Sequence, residues 1–233
     1  MFVDERDGPL PALLFALTVL AGAVDAISIL RLGHVFVATM TGNLVFIGLG
    51  AAGAKGFAVG TCAIAVGGFV IGVLLGRRAC EAASRHRGRA LRNVLGVKLS
   101  LAGVILVIVI LSTPRYPVGA RDALVALLAM SMGAQLAAIR YLKVPDLLTV
   151  VLTMTIAGAL TEHGTGLSDP KMIRRGMTLI AFSVGALSSA LLVLNVGLGA
   201  ALGFGFAIIV AVAIAAHLVS RTEAAWTAPR TPA

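Results

Sequence analysis

Charged side chains are scarce in this chain: Asp, Glu, Lys and Arg make up 12% of its 233 residues, whereas hydrophobic residues make up 59%. A soluble domain of this length needs far more polar surface. Several apolar runs approach the roughly 20 residues that a helix needs to cross the hydrocarbon core of a bilayer. The shortage of charge therefore excludes an ordinary soluble protein. It predicts an all-α polytopic membrane protein in which residues 1–233 form one membrane domain.

Motifs for catalysis, metal binding and nucleic-acid binding are also missing. The two cysteines, Cys62 and Cys80, have no metal or redox spacing. We find no phosphate-binding loop, zinc pattern or nucleophile elbow. The sequence therefore predicts no enzyme, no metal and no cofactor. The net charge of +9 is typical of cytoplasmic loops and anionic-lipid contacts in a membrane protein, so we expect no nucleic-acid partner.

Eight apolar segments are present, and their order indicates an internal repeat. "AGAVDAI" is followed later by "MGAQLAA", "VATMTGN" by "VVLTMTIAG", and "VGGFVIGVLLG" by "SVGALSSALLVL", with about 111 to 117 residues between copies. We therefore predict a first repeat over 9–112, a second over 118–220, and a short tail at 221–233. The segments are 11–31, 35–53, 57–77, 94–112, 120–141, 145–162, 173–195 and 198–220.

The distribution of Lys and Arg indicates how many segments cross the membrane, because cytoplasmic loops collect these residues. If all eight cross, the nineteen basic residues divide ten to nine between the two sides. If 35–53 and 145–162 instead enter and leave on the same side, fifteen lie on the cytoplasmic side and four outside. We therefore predict about six transmembrane helices plus two re-entrant or broken segments. Three spans per half make the halves two inverted three-helix repeats, a plan common among transporters.

Asp25 is a carboxyl group well inside the first apolar segment. Such a group is costly at this depth and is a candidate contact for a substrate or a coupling ion. The alternatives are a protonated carboxyl group in a packed interior, or one bonded to a backbone amide or a nearby Arg. Gln135 occupies the related place in the second repeat. It either contacts a substrate or makes an interhelical hydrogen bond.

Thr41, Gly42 and Asn43 interrupt the second apolar segment. They predict the start of a half-helix with Thr41 as its N-cap, and such a helix end presents free N–H groups to a ligand. Thr153 and Thr155 are the counterparts in the second repeat. The alternative is that these hydroxyls bond to carbonyls of their own helices.

These residues resemble a known family. "GAVDAISILRLGHVFVATMTGNLVFIG", followed by "SMGAQLAAIR" and "LTMTIAGAL", is similar to the YoaK family of small bacterial integral membrane proteins. The resemblance covers nearly the whole chain, and its most specific part is Asp25 followed by the block from Phe36 to Asn43. It implies a multi-helix bacterial membrane protein and supplies no substrate.

The leading functional hypothesis is a small-solute transporter or channel with a central site where the repeats meet. The alternative is a non-transporting membrane scaffold or a lipid-interacting protein. We expect membrane lipids as partners, with anionic headgroups at a basic 77–98 loop, and a homo-oligomer is possible. The expected location is the bacterial cytoplasmic (inner) membrane, with several membrane passes and both termini cytoplasmic.

Cysteine labelling with a membrane-impermeant reagent tests this topology in a background that lacks Cys62 and Cys80. A cysteine at Ala54 should react from outside, whereas cysteines at Ser84 and Gly166 should react only after the membrane is opened. Labelling of the Ser84 cysteine from outside would contradict the six-span arrangement. Labelling at Gly166 from outside would favour eight spans.

Overall fold

The structure is a computed structural model that describes residues 7–84, 86–112, 117–144, 170–221 and 224–228. Six helices within these residues are long and apolar enough to cross a membrane, and a seventh, α2, is shorter. The predicted all-α polytopic membrane fold is confirmed, while the predicted segment 145–162 lies outside the described residues. The helices are α1 (Leu10–Arg31), α2 (Met40–Ala51), α3 (Val59–Glu81), α4 (Arg87–Ser112), α5 (Val118–Leu142), α6 (Pro170–Asn195) and α7 (Leu198–Val219), and a short 3-10 turn follows at Ala225–Thr227.

One end of the bundle is organised around Arg87, the first residue of α4. Its side chain is buried and forms a 2.8 Å ion pair with Asp7, which precedes α1. It also donates to the carbonyl of Leu142 at the end of α5 (2.6 Å) and to that of Trp226 beyond α7 (3.1 Å). The start of α1, the start of α4 and the ends of α5 and α7 therefore meet here. We call this the basic end.

The opposite end holds the other helix termini. The Arg31 side chain at the end of α1 donates to the Val193 carbonyl near the end of α6 (3.3 Å). Thr61, near the start of α3, donates to the Asp122 carboxylate near the start of α5 (3.1 Å). Consequently α1, α4 and α6 run away from the basic end, and α3, α5 and α7 run toward it.

Helices α1 and α5 lie at the centre of the bundle. Most residues of each are buried, whereas fewer than half of the residues in α3, α4, α6 and α7 are buried. Exposed side chains of the outer helices include Leu74, Ile110, Leu187 and Ile214. In a membrane protein this surface faces lipid, while polar side chains such as Asp25 of α1, Lys98 of α4 and Gln135 of α5 are buried inside the bundle.

Glycines let α1 and α6 approach with their backbones in contact. A Cβ atom added at Gly22 of α1 would meet the carbonyl of Phe182, and one added at Gly185 of α6 would meet the carbonyl of Val19. Small residues at helix contacts are the usual means of close packing in membranes, where apolar side chains gain little from leaving lipid.

The same arrangement recurs between α3 and α5. A Cβ atom at Gly133 of α5 would meet the carbonyl of Phe69, and one at Gly72 of α3 would meet that of Met130. Both pairs are parallel, and each joins a central helix to an outer helix that the sequence assigned to the other repeat.

The basic stretch 77–98 predicts a loop with helix extensions, and in the structure the extensions take up most of it. Helix α3 continues to Glu81 and α4 begins at Arg87, so the connection spans only residues 82–86. Arg87 and Lys98 are fully buried side chains. Basic residues usually mark a solvated loop, but here buried acceptors hold Arg87 and Lys98 inside the bundle.

Substituting the contact glycines should loosen the bundle. We expect Gly22→Ala and Gly133→Ala each to lower the free energy of unfolding by about 2 kcal/mol or more, because the added methyl group displaces a backbone carbonyl. Gly96→Ala in α4 is the matched control, since nothing lies within 4 Å of its added Cβ. Alanine is the better helix former, so this control should be unchanged or more stable. Thermal unfolding in detergent measures the stability of all three variants. Equal stability of the contact variants and the control would contradict the packing role of Gly22 and Gly133.

Candidate functional site

The chain is broken after α1 and folds back along it. The two backbone N–H groups of Val37 and Ala38 both donate to Asp25 Oδ1 at 2.8 Å. Asp25 lies six residues before the end of α1, which is about 9 Å along the helix axis. Residues 32–39 therefore descend beside α1 before α2 begins. With only 12 residues in α2, this segment is one of the predicted broken segments.

Asp25 supplies acceptors for three donors of this loop. Besides the two backbone bonds, its Oδ2 accepts a 3.0 Å hydrogen bond from the Thr39 hydroxyl. The side chain is only 5% exposed. Backbone N–H groups outside a helix need partners where water is absent, and each costs several kcal/mol if left alone. Of the alternatives for Asp25, the structure shows the one in which the carboxyl group is bonded to backbone amides.

Asn43 holds the same loop from the other side. Its carboxamide oxygen accepts from the Phe36 N–H (2.9 Å), and its Nδ2 donates to the Phe36 carbonyl (2.6 Å). The Phe36 ring packs on Gly42, where a Cβ atom would lie 2.6 Å from the ring. Asp25, Phe36, Gly42 and Asn43 therefore form one structural unit, which we call the loop clamp.

Thr41 is not part of the loop clamp. Helix α2 begins at Met40, with Thr39 as its N-cap residue, and Thr41 is exposed in the first turn. The prediction that Thr41 caps the half-helix is wrong by two residues. The hydroxyl that reaches the interior is that of Thr39, because it lies where the extended chain still faces α1.

Gln135 belongs to a second cluster, built on Lys98. Lys98 Nζ donates to Gln135 Oε1 at 2.7 Å and to the Ser131 carbonyl at 3.3 Å. Gln135 Nε2 in turn donates to the Leu17 carbonyl at 2.9 Å. This chain of bonds joins α4, α5 and α1. Leu17 is eight residues from Asp25, about 12 Å along α1, so the predicted site residues fall into two separate clusters.

Lys98 is the interior charge that sequence reasoning missed. It lies eleven residues after Arg87, about 16 Å into the bundle along α4, and its side chain is fully buried. Among the ion pairs of the described residues, none involves Lys98. A signal was available, because Lys98 falls inside the apolar segment 94–112, and the rule that singled out Asp25 applies equally to it.

Two spaces lie beside these clusters. A cavity of about 30 Å³ is lined by α1, α4, α5 and α7, with Ala102 and Ser131 on its wall, and it has room for about two waters. Asp25 and Thr39 border a cleft of about 510 Å³ between α1 and α6. Of the other predicted site residues, Thr153 and Thr155 lie outside the described residues. No group of three or more potential metal ligands occurs in the described part of the chain.

The fold and the clusters define a class: a polytopic helical membrane protein with a broken helix held by buried polar side chains. The family described as "Protein of unknown function (DUF1275)" matches residues 13–215, and the chain belongs to this family. It is 32% identical over 188 residues to UPF0700 transmembrane protein YoaK of Bacillus subtilis (strain 168), covering 77% of this chain and 82% of that protein. The resemblance to the YoaK family is thus confirmed. No solved structure matches the chain.

Removing the Asp25 carboxyl group should destabilise the broken segment. Asp25→Ala leaves three donors without acceptors, at about 1–3 kcal/mol each, so we expect a loss of roughly 3 kcal/mol or more. Asp25→Asn keeps an oxygen for both backbone N–H groups, and its amide can donate to Thr39, so its loss should be smaller. Thr41→Ala, at an exposed position, is the control. Thermal unfolding and proteolysis of the loop report the effect. Wild-type stability in Asp25→Ala would refute the clamp.

Proposed function

We propose that this protein moves a small solute across the membrane through the interface between its two halves. The observation that carries the proposal is the direction of the helices. In the first half, α1 and α4 run away from the basic end and α3 runs toward it. In the second half the directions are reversed: α5 and α7 run toward the basic end and α6 runs away from it. Inverted three-helix halves with a site between them are a recurring transporter plan.

Corresponding glycine contacts support the assignment of these halves as repeats. The contact of Gly22 with Phe182 corresponds to that of Gly133 with Phe69. The two central-helix glycines are 111 residues apart, and the two carbonyl residues are 113 apart. The contact of Gly185 with Val19 corresponds in the same way to that of Gly72 with Met130: the glycines are 113 residues apart and the carbonyl residues 111. Matching contacts at nearly constant offsets are what a duplicated and inverted unit produces.

The broken segment fits the same function. Discontinuous helices bring irregular backbone to membrane depth, which is tolerated only where protein buries it or water reaches it. Here the loop clamp supplies the burial. The substrate roles of Asp25, Gly42 and Asn43 stay predictions. Because Asp25 and Asn43 already bond to the loop, we propose that they support the path rather than bind the solute.

Lys98 indicates the class of solute. The carboxyl group of Asp25 is already surrounded by three donors, whereas the acceptors that Lys98 meets within the described residues are neutral oxygens of α5. The interior therefore offers an amine donor, and Ser131, whose carbonyl accepts from it, also lies on the wall of a cavity between helices of both halves. A small solute with an anionic or hydrogen-bond-accepting group suits this donor. Because the cavity has room for only about two waters, such a solute enters only when the halves separate.

Solute flux tests the proposal. Purified protein is first screened for thermal stabilisation by small anionic and neutral solutes, and solutes that stabilise it are then measured for flux into protein-loaded vesicles. Lys98→Met keeps the length and removes the donor. We expect its flux to fall at least tenfold, with folding retained, because an apolar chain suits a buried position. Lys143→Met, at an exposed position of the basic end, is the matched control and should transport normally.

The outcomes separate the candidate functions. Flux that is unaffected in Lys98→Met would remove Lys98 from the path. A folded protein that moves no solute from a broad panel would favour the non-transporting scaffold or lipid-interacting protein.

A further inference from the structure

A polar cleft at the basic end brings together arginines that are far apart in the sequence. Arg89 and Arg92 come from the first two turns of α4, and Arg221 follows the end of α7. Residues 82–84 of the α3–α4 connection form the remaining wall, and the cleft has a volume of about 480 Å³. The fold places Arg221 beside the other two because α4 and α7 pack together and both have a terminus at this end.

The described wall of this cleft carries three arginines and no acidic side chain. Glu81, the acidic residue closest in sequence, forms a 2.7 Å ion pair with Arg77 on the exposed surface of α3. Asn93, also in the cleft, points its amide to the Ala79 carbonyl (3.1 Å) and accepts from Arg92 (3.3 Å). Asn93 thus helps to fix the position of the Arg92 guanidinium.

The depth of the cleft specifies the kind of anion. Arg89 and Arg92 belong to a membrane-spanning helix but lie within about 8 Å of its start. Lipid phosphates lie at this level, just outside the hydrocarbon core. Guanidinium groups bind phosphate oxygens in a bidentate manner and are weakly hydrated, so they suit such an interfacial phosphate.

We propose that this cleft binds the phosphate group of an anionic membrane lipid, with Arg89, Arg92 and Arg221 as its ligands. The site is independent of whether the protein moves a solute. Next to it, Arg87 joins Asp7, α5 and the C-terminal turn. A lipid in the cleft bridges α4 to the end of α7, so its binding stabilises the same end of the bundle by mass action.

Lipid-dependent thermal stability tests the site. Phosphatidylglycerol, phosphatidylcholine or inorganic phosphate is titrated into the protein in a non-ionic detergent, at matched phosphate concentrations. We expect phosphatidylglycerol to raise the unfolding temperature in a saturable way, and the other two to have little effect. Inorganic phosphate that reproduced the full shift would overturn the assignment to a lipid.

Two triple variants of equal charge locate the site. The cleft variant is Arg89→Gln, Arg92→Gln and Arg221→Gln, and the control variant is Arg78→Gln, Arg140→Gln and Lys143→Gln, at exposed positions of the same end. Each cleft arginine should contribute about a fivefold change in apparent affinity. The control should retain nearly full affinity. An equal loss of lipid affinity in both variants would show that the lipid is attracted by the general surface charge, and would overturn the proposal of a site in the cleft.

A single variant distinguishes a loss of lipid binding from a loss of folding. Arg221→Gln lies beyond the end of α7, so it removes a cleft guanidinium without entering the bundle. We expect its stability without lipid to equal that of the wild type and its affinity for phosphatidylglycerol to fall about fivefold. Wild-type affinity in this variant would overturn the role of Arg221.

Discussion

The structure depends on one constraint: wherever the backbone leaves a helix at membrane depth, its polar groups need partners from the protein. The Asp25 carboxyl group and the Asn43 carboxamide meet this need for the N–H groups of residues 36–38 and for the Phe36 carbonyl. An intact helix satisfies its own backbone, but a broken one has to recruit side chains. The cost of burying Asp25 is offset by three donors, which makes the broken segment a defined element rather than a loose loop.

The close approach of helices follows a related rule. In lipid, apolar side chains gain little by packing against each other, so helix association relies on backbone proximity and interior hydrogen bonds. Glycines bring α1 against α6 and α3 against α5. Each central helix is thereby attached to an outer helix of the other half. The halves are interlocked, and interior polar groups bond between helices, as Lys98 of α4 does with Gln135 of α5.

Charges inside the bundle have two different settings. Arg87 is paired with Asp7 and with carbonyls at the basic end, so it ties the chain termini to the bundle. Lys98 lies deeper, and among the described residues its hydrogen bonds go to the neutral oxygens of Ser131 and Gln135. A buried charge without an opposite charge is expensive and marks interior sites of function more often than sites of packing. That contrast is why the proposed path is centred on Lys98 and not on the more fully bonded Asp25.

Composition and charge distribution determined the membrane class, the six long helices and the break near Thr39–Asn43, because hydrophobic length and backbone satisfaction are local requirements. The sequence also singled out Asp25, Asn43 and Gln135. Only the tertiary structure decided what they contact: Asp25 and Asn43 reach a loop that the chain folds back toward them, and Gln135 meets a lysine 37 residues away. The basic stretch 77–98 predicts an exposed Arg87 and extends as far as Lys98, which also lies in the apolar segment 94–112, because a basic residue near a helix end is usually exposed. Burial depends on acceptors from distant helices, such as the Leu142 and Ser131 carbonyls, and no local pattern encodes these.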